Sequence, residues 1–148
     1  MKLTVDPCFQ PCPIEDGDEC YPNGMFEFNI TRLLAFIDAH ADRFPIVQVA
    51  LAELSVIGDS KLDPETMRTA DLSRPIVLAE IAPNRYNVID GHHRIGRARR
   101  DGVRSLSGRK IRCPEHLAFL TSALAYQRYV AYWNSKLGAP QATRRSRD

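Results

Sequence analysis

Apolar positions along the chain switch between two periods, and each switch marks an element. Ile30, Leu33, Leu34, Ile37 and Ala41 recur at helical spacing behind Asn29, a good N-cap. They predict an amphipathic helix from Ile30 to about Arg43, stopped by Pro45. The β-rich run 46–51 predicts a strand continuing into Glu53-Leu54, and 55–71 predicts a loop with one helical turn at Pro64–Thr69 behind Asp63. Pro75-Ile-Val-Leu-Ala-Glu-Ile81 reads as a strong buried strand. Ala82-Pro-Asn-Arg85 is a turn and Tyr86–Ile89 a second strand, so the pair predicts a hairpin. His92–Asp101 then reads as a helix closed by Gly102, and Arg104–Ile111 as a returning strand.

Pro114 opens a short helical piece through Leu120. Thr121 is the expected N-cap of a longer helix, Ser122–Leu137, halted by Gly138 and Pro140. Its Tyr126, Tyr129, Tyr132 and Trp133 are expected to pack rather than to bind a ligand. Residues 1–28, rich in proline and cysteine, read as an irregular arm packed on the domain through Phe9, Ile14 and Tyr21, with one short strand at Lys2–Val5. The organisation expected is therefore this arm, a single domain over 29–138, and a flexible basic tail over 139–148. The fold class is α+β, a small mixed sheet with flanking helices and a long C-terminal helix.

With 148 residues the chain can bury a real core in one domain. The net charge of +2 does not by itself call for nucleic acid. Its distribution changes the picture. Residues 1–28 carry one basic side chain against six acidic ones, and residues 85–112 carry nine basic against Asp90 and Asp101. A basic centre in a nearly neutral chain suggests one local anion site. No apolar run approaches the roughly 18 residues of a membrane span, and the first residues lack a signal-peptide core, so the expectation is a cytoplasmic protein with reduced thiols and no membrane partner. Cys8, Cys12 and Cys20 do not have a usual zinc spacing, and no structural metal is expected. His40 reads as a capping or surface histidine, and Asp59, Asp63 and Glu65 as solvated loop acids.

The chemistry concentrates at Asp90-Gly91-His92-His93-Arg94. A strand turning sharply into a helix leaves the helix's first N–H groups unpaired, and these donors favour an anion, typically phosphate. Asp90 is placed to accept from backbone N–H groups as a cap does, and Gly91 permits positive φ or close approach of a ligand. Arg94 offers a planar fork for phosphate, and Arg97, one turn on, widens the basic face. Adjacent histidines on a helix diverge by about 100°, so they do not form a metal pair. His93 is the expected direct contact, and His92 an acid/base or supporting group, which makes this pair the candidate catalytic residues. Three potential cations at a helix N-terminus require a compensating anion, from Asp90 or from a ligand.

Arg74-Pro-Ile-Val77, Tyr86-Asn-Val-Ile-Asp-Gly-His-His-Arg94, Ala98 and Gly102 together resemble the ParB/sulfiredoxin superfamily over roughly residues 46–112. That resemblance implies a turn that binds the phosphates of a nucleotide (ATP, ADP or CTP), with Mg²⁺ where ATP or ADP is used. Members of the superfamily hydrolyse CTP, activate a sulfinic acid with ATP, phosphorylate free serine with ADP, or act as nucleases. His92 stands where sulfiredoxins carry their catalytic cysteine, and the turn lacks the glutamate of the partition proteins. The Asp-Gly-His-His-Arg form is closer to the small-molecule kinase branch. The expectation is phosphoryl transfer or nucleotide hydrolysis on a nucleotide or phosphorylated small molecule. Two rivals stand beside it: a DNA-binding or nuclease module using the basic helix face, and a non-catalytic sensing or interaction domain that forms a homodimer through the C-terminal helix.

Overall fold

A computed structural model describes residues 1–23, 26–54 and 62–138. Asp59 and the expected tail over 139–148 lie outside the described residues. The ordered elements are β1 (Cys20–Asn23), β2 (Phe26–Asn29), α1 (Ile30–Ala39), β3 (Val47–Ala50), α2 (Pro64–Arg68), β4 (Ile76–Ala82), β5 (Arg85–Asp90), α3 (His92–Arg100), β6 (Ser105–Ile111) and α4 (Ala123–Ser135). They form a mixed α+β domain with a two-stranded and a four-stranded sheet.

The larger sheet has the order β3-β6-β4-β5. β4 pairs antiparallel with β5 and parallel with β6, and β3 pairs antiparallel with β6. β4 is central and almost wholly buried, which is why its sequence shows no polar alternation. Alternate residues of the strand serve two cores. Val77 and Ala79, with Ile89 and Ile111, face Ile30, Leu33 and Ile37 of α1, Tyr129, Val130 and Trp133 of α4, and Phe26 and Phe28 of β2. Ile76 and Leu78, with Val88, Val49 and Leu106, face Ile95 and Ala98 of α3.

Several boundaries move from those expected. The first helix stops at Ala39, and Ala41–Arg43 tightens into a separate 3₁₀ turn. β3 ends at Ala50 because Leu51–Glu53 turns as 3₁₀ helix rather than extending into Leu54. The N-cap of α4 is Ser122, whose hydroxyl accepts from Ala125 N–H, whereas the expected cap Thr121 gives its hydroxyl to Glu27 Oε1 at 2.6 Å. Asn29 and Asp63 cap α1 and α2 as expected, accepting from Arg32 and Thr66 N–H.

The N-terminal segment lies packed on the domain, and its strand falls elsewhere than expected. Lys2–Val5 forms no strand, but Cys20–Asn23 pairs with Phe26–Asn29. The first residues are strapped along α4. Trp133 Nε1 donates to Met1 O, Asn134 exchanges two hydrogen bonds with the Leu3 backbone, and Phe9 stacks on Tyr126 at 4.0 Å. These partners lie more than a hundred residues apart in the chain, so no local pattern announces them.

Candidate phosphate-binding site

The strand–turn–helix sits where β5 leaves the sheet. Gly91 is the N-cap of α3, with φ +113°, and it makes no side-chain cap bond. A Cβ at this position would lie 2.5 Å from Ile76 Cγ2, so glycine is required both by the backbone and by close packing on β4. Asp90 therefore does not cap the helix as expected. Its carboxylate turns to Arg94, whose Nη2 donates to Asp90 Oδ2 at 2.9 Å.

Arg94 itself is a structural tie. Its Nη1 donates to Arg74 O at 3.0 Å and Pro75 O at 2.6 Å, and its side chain is 9 % exposed. The guanidinium clamps the start of β4 to the helix, so the fork expected for phosphate is filled by protein oxygens. Arg97 is likewise engaged, donating to Ala70 O and Asp101, and lies outside the cavity.

The two histidines diverge, as adjacent helical residues must. His92 points back into the protein, with Nε2 3.1 Å from Val88 O and 3.0 Å from the Tyr21 hydroxyl. A carbonyl only accepts, so Nε2 carries the proton and Nδ1 is the bare, buried nitrogen. Burial holds the His92 pKa below the ordinary histidine value, and Tyr21 of β1 stacks on its ring at 5.4 Å. His93 turns toward α2, where its Nε2 accepts from Asp63 N–H at 3.1 Å. That bond needs a lone pair on Nε2, so the proton sits on Nδ1. His92 thus spends Nε2 on the protein with its pKa lowered by burial, His93 spends Nε2 on the Asp63 N–H, and Arg94 is paired with Asp90. The crowd of cations expected at the helix N-terminus is resolved inside the protein.

What remains open is the backbone. Ile95 N–H is the first to close a helical bond, to Gly91 O. Among the described residues the N–H groups of His92, His93 and Arg94 have no hydrogen-bond partner. They border a cavity of about 320 Å³ lined by the turn 90–94 together with Thr66, Thr69, Ala70, Asp71 and Arg74. Arg74 is exposed and its side chain makes no hydrogen bond or ion pair among the described residues, although its charge acts on the Asp71 carboxylate that lines the same cavity.

α2 closes the far wall because Gly96 lets it approach. A Cβ on Gly96 would fall 2.6 Å from both Leu62 Cδ1 and Met67 Sδ. This mid-helix glycine, which costs α3 about 1 kcal/mol in propensity, is the price of bringing Thr66 and Thr69 to the turn. The sequence reading missed Arg74, Thr66, Thr69 and Asp71 as site residues, and Tyr21 as the partner of His92. One signal was present: in the β4–β5 hairpin Val77 pairs with Asp90, which puts the residues just before β4 beside the turn.

Two carboxylates line the cavity. Asp90 gives one oxygen to Arg94, and Asp71 gives one oxygen to the Ser73 N–H and hydroxyl, which holds its pKa below the ordinary carboxylate value. Each retains an oxygen with no described bond. Among the described residues no group of three or more His, Cys, Asp and Glu side chains is placed to hold a metal ion. No described helix is long and apolar enough to cross a membrane. No protein-family model, curated protein or solved structure matches this chain.

Proposed function

We propose that the cavity at the N-terminus of α3 binds a phosphate-bearing ligand, and that the ligand class is a nucleotide. The observation that carries this reading is the set of three N–H donors, of His92, His93 and Arg94, unpartnered among the described residues, at a cavity that Arg74 lines with a guanidinium in no hydrogen bond or ion pair among those residues. Oriented backbone donors and the positive end of a helix dipole are a fitted environment for phosphate oxygens. The nucleotide assignment, with ATP, ADP or CTP as candidates, and the ParB/sulfiredoxin-like fold rest on the resemblance of residues 74–102. The free oxygens of Asp71 and Asp90 fit the one or two carboxylates with which proteins hold a phosphate-bound Mg²⁺. The ion would neutralise phosphate charge.

Phosphoryl transfer or hydrolysis is the reaction class that follows. The N–H groups and Arg74 would stabilise charge on the transferring phosphoryl group. His93 lines the cavity with Nε2 taken by the Asp63 N–H, which leaves Nδ1 as the ring nitrogen for a hydrogen bond to a ligand, while His92 is locked into the sheet and supports the turn. DNA binding through α3 is less well supported, because Arg97 and Arg99 spend hydrogen bonds on Ala70 O and Leu51 O.

Isothermal titration of inorganic phosphate, ADP, ATP and CTP, each with and without Mg²⁺, tests the reading. Arg74→Ala should weaken binding by about tenfold to a hundredfold, the worth of a charge-assisted hydrogen bond. It should leave the melting temperature of the free protein in place. Failure of all four probes to bind the wild type, or equal affinity in the variant, would overturn the assignment.

A further inference from the structure

The cavity at the N-terminus of α3 divides by hydrogen-bond polarity. One wall donates: the N–H groups of His92, His93 and Arg94, with the Arg74 guanidinium lining the same cavity. The side chains of Thr66, Thr69 and Asp71 make a wall that accepts. Thr66 gives its hydroxyl proton to Asp63 Oδ2 at 2.6 Å, and Thr69 gives its own to Glu65 O at 3.0 Å. A hydroxyl whose proton is committed offers a ligand lone pairs alone. Asp71 receives the Ser73 N–H and hydroxyl on Oδ1, and its Oδ2 makes no hydrogen bond among the described residues. All three side chains belong to exposed residues, so these acceptors are open to a ligand.

A phosphate alone satisfies the donors and leaves the acceptors facing water. A ligand that uses both walls carries an anion at one end and hydrogen-bond donors at the other. Hydroxyl groups match the acceptors better than an ammonium does. The Asp71 carboxylate already lies in the field of Arg74 and Arg94, so a further cation beside it would be repelled. The volume of about 320 Å³ is at the lower end of the range of about 300–1,000 Å³ for small-molecule sites. No Phe, Tyr or Trp is among the described lining residues, so a base would find no such ring to stack on.

We propose, on the basis of the phosphate reading of this site, that the cavity takes a phosphorylated polyol. Its phosphate sits on the three N–H groups and Arg74, and its hydroxyls donate to Thr66, Thr69 and Asp71. The ribose phosphate portion of a nucleotide is one such group, held here with little regard to the base. Asp90, in the turn with the donors, remains the carboxylate for a phosphate-bound Mg²⁺.

Isothermal titration of the full chain in Mg²⁺-free buffer with a chelator tests this with inorganic phosphate, propyl phosphate, glycerol 3-phosphate, ribose 5-phosphate and phosphoethanolamine. Glycerol 3-phosphate and propyl phosphate share a three-carbon skeleton and differ only in hydroxyls. The two hydroxyl-bearing esters should bind about tenfold more tightly than propyl phosphate, as one net hydrogen bond to a charged acceptor provides. Asp71→Asn, which turns an amide N–H group toward the cavity, and Thr69→Val should each cut that preference to about threefold or less. Arg74→Ala should weaken every ester and leave the preference in place. AMP and CMP should bind within about threefold of each other, since neither base gains a stacking partner. The proposal is overturned if propyl phosphate binds as tightly as glycerol 3-phosphate, if both acceptor variants keep the wild-type preference, if phosphoethanolamine binds more tightly than glycerol 3-phosphate, or if AMP and CMP differ by more than the stated margin. If inorganic phosphate and every ester fail to bind, the phosphate reading falls and the polyol assignment falls with it.

Discussion

Replacing Arg94 with alanine should destabilise the fold rather than merely disarm a site. The guanidinium is 9 % exposed and makes three bonds, to Arg74 O, Pro75 O and Asp90 Oδ2. Truncation leaves Asp90, whose side chain is 17 % exposed, without its counter-charge and frees two carbonyls at the start of β4. Breaking one side of a buried ion pair costs about 3–5 kcal/mol. Water entering from the adjacent cavity can solvate part of what is exposed, so the lower end, about 3 kcal/mol, is expected. At about 3–5 °C per kcal/mol for a chain of this size, the melting temperature should drop by about 10–15 °C. Urea unfolding followed by circular dichroism measures the free energy directly. A double-mutant cycle with Asp90→Asn apportions it, and the double variant should be less destabilised than the sum of the singles by about 1–3 kcal/mol. A melting temperature within about 2 °C of wild type, accompanied by loss of nucleotide affinity, would refute this reasoning and return Arg94 to the role of ligand arm.

Two further outcomes follow from the same geometry. Gly91→Ala forces a Cβ to 2.5 Å from Ile76 Cγ2 at a φ of +113° and should cost about 2–4 kcal/mol in urea unfolding; a change below about 1 kcal/mol would mean that the turn relaxes freely. Stability should also fall in mild acid because of His116, which is fully buried beneath Tyr129 and bonded to Glu80 O, and whose pKa burial pushes down to about 4. The unfolded chain takes up this proton near the ordinary histidine pKa while the folded chain resists it. The loss therefore begins as pH drops below about 6.5 and is complete near 4, amounting to about 3 kcal/mol. The depressed His92 pKa adds in the same direction, whereas the lowered carboxyl groups of Asp18, Asp63 and Asp71 contribute only as pH falls below their ordinary value. Urea titrations at pH 7, 5.5 and 4.5 should show the slope in wild type and a flatter one in His116→Gln; a flat wild-type profile would contradict it.

Most of the framework was legible in the residues alone. The apolar run at 75–81, the spaced leucines and isoleucines of α1, and the Asn29 and Asp63 caps are local signals. They act through burial and hydrogen bonds that close within a few residues. The turn at Asp90-Gly91 was legible for the same reason, since only a glycine meets the conformation required there. The roles of the charged residues were not. Sequence places His92, His93 and Arg94 together at a helix N-terminus, but which atom each one meets depends on strands from elsewhere in the chain. Arg94 is consumed by the carbonyls before β4, His92 by Val88 and Tyr21, and His93 by the backbone of α2. Arg74 entered only as the first residue of the Arg74-Pro-Ile-Val77 stretch, with no role at the turn, and the antiparallel pairing of β4 with β5 brought it to the cavity. Hydrophobic period is a property of neighbours along the chain, so it fixes elements. The state and partner of an ionisable group depend on distance and burial in three dimensions, and only the packed fold supplies those.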